Sequence, residues 1–393
     1  MKLHAWAWLG AALAWGAPCH AGAEAPALDA AAQRYQQWFR AAAEEFGVPV
    51  ELLEAIAYAE TRWQPHVPRG RRKGAGEPEV EVEPHHGMPI GYGIMGLRDD
   101  VFFGRSLRQG AALIGLTPAQ AAEDTRSNIR AAAALLARHG APGSRAAALE
   151  DWEAAVARYS GIAQADISRI YTYEVFAAIQ EGRAGQRYRI GKRPVALEAI
   201  YGKALLDRLS APRATLAADH PSAIWRPAAS CNYSARSTPV SHLTLHTTQG
   251  SYAAAISWFQ HCGAGVSAHY VIRSSDGQVT QMVREADKAW HAGNANGYTV
   301  GIEHEGYVDS PKAWYSEAMY QASAALARDI LAARGLAPAV YDGALGWDAV
   351  PADALYNVKG HVNYARQTHS DPGAGWDWPR YRALVGAAGP GDR

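Results

Sequence analysis

GHVNYARQTHSDPG, at residues 360–373, decides how the second half of the chain is read, together with an isolated HTTQGSY that begins at His246. The two stretches supply two imidazoles and one carboxylate: His246, His361 and Asp371. That mixture suits a zinc ion with one coordination position left open, the arrangement of a hydrolytic zinc rather than a structural one. His246 ends an alternating segment, SHLTLHTT, with Leu243 and Leu245 on one face and Thr244 and His246 on the other. His361 follows Gly360, and Asp371 stands just before Pro372-Gly373, where a turn can swing it back. A polar core role is the ordinary expectation for any single one of the 15 histidines, and it is their company that sets these apart.

Outward from that stretch, everything after Ser222 mixes strands with helices. SAHYVIRSSDGQVTQMV reads as a hairpin turning at Asp276-Gly277. YTVGIEHEG is a strand with Val300 and Ile302 opposite Gly301 and Glu303, and residues 314–334 form a long helix ended by Gly335. Residues 28 to 182 are helical in pattern instead, with a capping-box start at Thr117, Pro118 and Gln120. VPVELLEAIAYAETRW is a helix opened by Pro49, with Leu53, Ile56 and Glu60 on one stripe. A carboxylate ending an apolar stripe is partly desolvated, which suits a general acid; an exposed Glu at a helix end is the alternative. The charged run at residues 69–86 reads as a solvent-exposed loop, and residues 194–209 as a helix-like patch in a connecting region ending near Pro221.

At 393 residues the chain is long enough for two or three domains, each able to bury its own core. Its 38 basic and 38 acidic residues cancel, so no strong field argues for nucleic acid or an anionic membrane as partner. Lys2, the uncharged residues 5–17 and Ala21-Gly22-Ala23 read as a signal peptide over residues 1–23, its apolar run too short for a comfortable membrane span. An uncleaved anchor is the other reading; an exported chain without stable membrane insertion, periplasmic or secreted and associated with the cell wall, is expected. Cys19 would leave with the signal, leaving Cys231 and Cys262 either as one disulfide or as two buried thiols.

HTTQGSY, SAHYVIRSSDGQVTQMV, KAWHAG, VGIEHEG and GH…THSDPG, in that order, resemble the zinc-dependent N-acetylmuramoyl-L-alanine amidases, including phage lysozyme-type enzymes and relatives of the peptidoglycan recognition proteins. The resemblance covers about residues 222 to 385 and implies a mixed sheet flanked by helices. It implies zinc ligands at His246, His361 and Asp371, and a proton-transferring carboxylate at Glu303, with Glu305 on the same face as competitor. His369 stands where many members carry Lys, a position that would stabilise an oxyanion. Ala268 replaces a Tyr found in some branches. Trp290, His291 and Asn294 would line the substrate groove, with a structural role for Trp290 also open; His269 reads as structural.

The first half resembles the lytic transglycosylases of the goose-type lysozyme fold, over roughly residues 33 to 182. Ala59-Glu60-Thr61 matches the catalytic Glu-Ser position, Gly93-Ile94-Met95-Gly96-Leu97 the G-L-M-Q-L motif, and Ala157-Arg158-Tyr159-Ser160-Gly161 the A-x-Y-N-G segment. Ser127-Asn128-Ile129 precedes a matching helix. The resemblance implies Glu60 as the single catalytic acid and base, with Met95 and Tyr159 at the substrate. Gly96 and Ser160 replace the usual Gln and Asn, and residues 69–86 lengthen the gap between Glu60 and Met95.

The expected whole is an α+β two-domain chain. A signal peptide (1–23) precedes an all-α lysozyme-like domain (28–183), a linker (184–221) and an α/β mixed-sheet zinc amidase domain (222–388). The expected partner is peptidoglycan or a muropeptide, and Zn2+ the cofactor. Two alternatives stay open: an amidase whose helical domain is a silent glycan-binding module, and a non-catalytic recognition protein.

Overall fold

The computed structural model describes residues 26–68, 80–82, 86–140, 148–210, 218–343, 355–367 and 369–386. The expected signal peptide lies outside the described residues, as does most of the charged run 69–86.

The first half is helical as its periodicity predicts. Helices α1 (Ala30–Phe46), α2 (Val50–Thr61), α3 (Ser106–Leu113), α4 (Pro118–Glu123), α5 (Thr125–His139), α6 (Glu153–Ser160) and α7 (Ala165–Glu181) surround one apolar core. Asp29 caps α1 by accepting from the Ala32 amide, and Gly47 ends it in the left-handed region. Thr117 and Gln120 form the expected reciprocal capping box on α4. The connecting patch is two short helices, α8 (Leu197–Tyr201) and α9 (Lys203–Ser210).

The second half is built on a sheet of six described strands: β1 (Ile224–Trp225), β2 (His242–Thr247), β3 (Tyr270–Ile272), β4 (Val279–Gln281), β5 (Thr299–His304) and β6 (Val358–Gly360). Their order is β6-β2-β5-β3-β4-β1. The first four run parallel, β4 is antiparallel to β3, and β1 is parallel to β4. Leu243, Leu245, Val300 and Ile302 bury one face against α12 (Glu317–Ala333) and α13 (Trp378–Gly386), the latter numbered after the short α11 (Pro311–Trp314). The expected long helix is thus broken before α12, where Ser316 caps it by accepting from the Met319 amide.

The two cores do not divide along the two halves of the sequence. Helix α10 (Tyr252–Phe259), with every residue buried, joins the core of the helical half. A helix apolar all round needs cover on all sides, and α7 supplies part of it. Across this seam the Gln164 side chain donates to the Ser257 carbonyl at 3.2 Å and accepts from the Ser257 hydroxyl at 2.7 Å, and Arg273 pairs with Glu174 at 3.3 Å. A disulfide joins Cys231 to Cys262.

Candidate metal and catalytic site

Three adjacent parallel strands deliver the candidate residues from their carboxyl ends, the edge where open α/β sheets place ligand sites. His246 is the penultimate residue of β2, Glu303 is its direct partner on β5, and His361 follows the last residue of β6. The 360–373 segment closes on itself. The Val362 amide donates to the Asp371 carbonyl at 3.1 Å, and a side chain at Gly360 would meet Pro372 Cδ at 2.5 Å. That close approach is why a glycine precedes His361, and it brings Asp371 back to the histidines.

Asp371 Oδ2 lies 2.8 Å from His246 Nδ1, and its Oδ1 lies 3.3 Å from His361 Nδ1. His246, His361, Asp371 and Glu303 are all at most 2 % exposed. The far nitrogen of each imidazole is held from behind. His361 Nε2 meets Gln367 Oε1 at 2.8 Å, which fixes Nε2 as the proton-bearing nitrogen and leaves Nδ1 a lone pair. His246 Nε2 meets His291 Nδ1 at 2.9 Å, His291 Nε2 meets Thr299 Oγ1 at 3.2 Å, and Thr299 donates to the Ala295 carbonyl at 2.8 Å. At the other end of this chain His246 Nδ1 faces Asp371. Burial pushes the pKa of His246 down, against the nearby Glu303 and Asp371, and pushes His291 well down. Neutral rings suit both links.

Imidazoles with Nδ1 aimed at a buried carboxylate are the donors a divalent transition metal takes. The ligand atoms of His361, His369 and Asp371 lie within 4.8 Å of one another, as do those of His86, His246 and His361. His369 is half-buried and stacks on His361 at 4.7 Å between ring centres. The residues present therefore fit a metal ion.

The two acidic candidates separate by their neighbours. Glu305 accepts from the backbone amides of Tyr252 at 3.1 Å and Ser274 at 2.7 Å, so its carboxylate braces α10 and the turn after β3. Glu303 faces the histidines, with Oε1 at 3.3 Å from His86 Nε2.

Several expectations change. His291 does not line a groove: it is 2 % exposed and stands behind His246, and Gly301 makes room, since a side chain there would meet the His291 ring at 2.6 Å. Trp290 is half-buried and donates to Ser234 Oγ at 3.2 Å, whereas Asn294 is exposed. His269 is buried, its Nδ1 accepting from the Gly301 amide at 3.0 Å. The run at residues 69–86 was expected in solvent, yet its last residue, His86, has a side chain only 6 % exposed within the candidate site. Sequence reading missed His86 because nothing in a charged, glycine- and proline-containing run signals a contact across the chain.

In the helical half the motif residues do converge. Thr61 donates to the Ile94 carbonyl at 2.7 Å, Asn128 accepts from the Met95 amide at 2.9 Å, and Tyr159 donates to the Met95 carbonyl at 2.6 Å. Met95 and Tyr159, expected at the substrate, are buried parts of this framework instead. Gly96 (φ +61°) must be glycine, because a side chain would sit 2.6 Å from Glu60 Oε2. Burial raises the Glu60 pKa against the opposing charge of Arg98, which lies 3.2 Å away. Glu60 is 4 % exposed. Tyr307 and Trp314 of the second half pack onto this region, Tyr307 against His66 at 4.1 Å between ring centres and Trp314 under Arg62 at 3.9 Å.

A parallel-strand edge carrying histidines and carboxylates of this kind defines a candidate metallohydrolase, and comparison with known proteins narrows it. The N-acetylmuramoyl-L-alanine amidase family model, Amidase_2, matches residues 236–374. N-acetylmuramoyl-L-alanine amidase A of Achromobacter lyticus is 48% identical over 177 residues, covering 44% of this chain and 98% of that one. The 1,6-anhydro-N-acetylmuramyl-L-alanine amidase AmpD of Salmonella typhimurium strain SL1344 is 38% identical over 128 residues, 30% of this chain and 57% of that one. A crystal structure of a selenomethionine AmpD derivative aligns with a TM-score of 0.32 and 28% identity, over 42% of this chain and 96% of that one. The chain belongs to the N-acetylmuramoyl-L-alanine amidase family.

Proposed function

We propose that this chain hydrolyses the amide between N-acetylmuramic acid and L-alanine in peptidoglycan or its fragments, with zinc held by His246, His361 and Asp371. The observation that carries the reading is the two Nδ1 atoms converging on Asp371, with Glu303 alongside on the neighbouring strand. Zinc, when bound, would polarise the scissile carbonyl and make water a nucleophile at neutral pH. Glu303 accepts the proton on its carboxylate and hands it to the departing amine nitrogen, so the amine leaves neutral. His369 donates toward the carbonyl oxygen as negative charge develops there. Gln367 and His291 keep the ligand rings from turning. Digestion of purified peptidoglycan should release stem peptides with a free L-alanine amine, read by mass spectrometry. Intact lactyl–alanine bonds after digestion would refute the reading.

The convergence of Thr61, Met95, Asn128 and Tyr159 around a carboxyl with a raised pKa supports a lysozyme-like second unit in which Glu60 cleaves the glycan as a transglycosylase. The Arg98 guanidinium pairs with that carboxyl at 3.2 Å. Anhydro-ended sugars lost in Glu60→Gln would establish this activity. Their absence from wild-type digests would leave a silent glycan-holding module. An exported protein, periplasmic or secreted, where cell wall is met, is consistent with both readings; among the described residues no helix is long and apolar enough to cross a membrane.

A further inference from the structure

Among the described residues, the helical half sends a further histidine into the amidase site. His86 Nε2 lies 3.3 Å from Glu303 Oε1, and its ring centre is 5.4 Å from that of His246, 5.8 Å from His361 and 5.5 Å from His369. With His246 and His361 it forms a group whose ligand atoms all lie within 4.8 Å of one another.

This placement is built rather than incidental. His86 (φ +49°) and Gly87 (φ +69°) are two successive left-handed residues that turn the chain into the site. The first is costly for a residue with a side chain and persists only where surroundings impose it. Trp258 of α10 imposes it by donating from Nε1 to the His86 carbonyl at 3.0 Å. Met88, 3 % exposed, seats against Gly250 in the loop after β2, where a side chain would come within 2.4 Å of its Cε. Ile90 packs with Tyr307 and Trp314, and the Pro89 carbonyl accepts from Arg98 at 3.0 Å. The anchors at residues 86, 88 and 90 all rest on the amidase half.

We propose that His86 is an additional ligand of the metal ion and that it makes the intact chain a latent amidase. The inference rests on the zinc reading above. His246, His361 and Asp371 leave a position for water and the scissile carbonyl, and the proton acceptor Glu303 must face that position. His86 occupies the space between Glu303 and the other two histidines, so substrate engages only when its ring is displaced. The segment that closes the amidase site also holds Arg98, the partner of Glu60. Displacing it therefore alters the surroundings of both candidate sites.

The test uses the full chain loaded with Co2+, whose visible absorption reports the number and kind of ligands. His86→Gly keeps the positive φ and removes the imidazole. Trp258→Phe removes the hydrogen bond that holds the turn, together with part of the indole's packing on Phe102 and His261. The cobalt spectrum should change in His86→Gly, the metal should bind more weakly, and turnover of a muropeptide should rise several-fold. Trp258→Phe should show a smaller rise in turnover. An unchanged spectrum in His86→Gly overturns the ligand role, and unchanged or lower turnover overturns latency. His246→Ala in the same series keeps the two claims apart. If wild type takes up no cobalt, or His246→Ala leaves the cobalt spectrum and affinity unchanged, the zinc reading itself fails; if only His86→Gly is silent, the failure belongs to His86.

Discussion

Glu303 and Glu305 stand two positions apart on one strand, yet one carboxylate faces the histidines and the other is occupied by two backbone amides. Removing Glu303 as Glu303→Gln should lower kcat by about 10²–10⁴-fold while metal content stays near wild type, measured by turnover and elemental analysis. Glu305→Gln should act on stability instead, as a lowered melting temperature. His291 gives a different signature, since it touches His246 and not the metal. His291→Ala should weaken metal affinity by about 10–100-fold, read by competition with a chelator. The proposed ligand triad was legible in the sequence because its residue types and their turn chemistry are local. The role of His291 was not, because it depends on the Gly301 side of β5 lying against it, which only strand pairing establishes.

At the scale of elements, alternation in SHLTLHTT and YTVGIEHEG gave the correct faces for β2 and β5, and with them His246 and Glu303 on a shared side. What alternation could not give was the register that sets those two residues side by side. Helix α2 carries a testable consequence of burial. Glu54, 3 % exposed, accepts from the Gly191 amide at 3.1 Å, and desolvation raises its pKa from 4.5 to about 7. The folded state therefore holds the proton more tightly than the unfolded chain does. Its contribution to stability is complete below about pH 4.5 and is lost as pH rises through about 7, on the order of 3 kcal/mol. Glu54→Gln should flatten stability between those values, measured by denaturant unfolding at several pH values. A slope unchanged from wild type would show that Glu54 is not its source.

Taken whole, the chain is less divisible than its two motif sets suggest. The sequence shows two halves with different periodicities, and both are present. The shared core around α10 was hidden, because an all-apolar helix looks the same whether it faces its own sheet or a neighbouring unit. The second half expressed alone exposes that face and should aggregate or melt well below the full chain, measured by thermal unfolding. The Cys231–Cys262 link closes a separation of 31 residues, and Cys231→Ser with Cys262→Ser should cost about 2–4 kcal/mol by denaturant unfolding.

The most direct measurement of the central claim pairs metal content with amide cleavage in the same samples of wild type and His246→Ala. The account predicts about one zinc per wild-type chain and free stem peptides released from peptidoglycan, with zinc held more weakly and cleavage lost in His246→Ala. Amide cleavage that persists in a metal-free His246→Ala protein would contradict it.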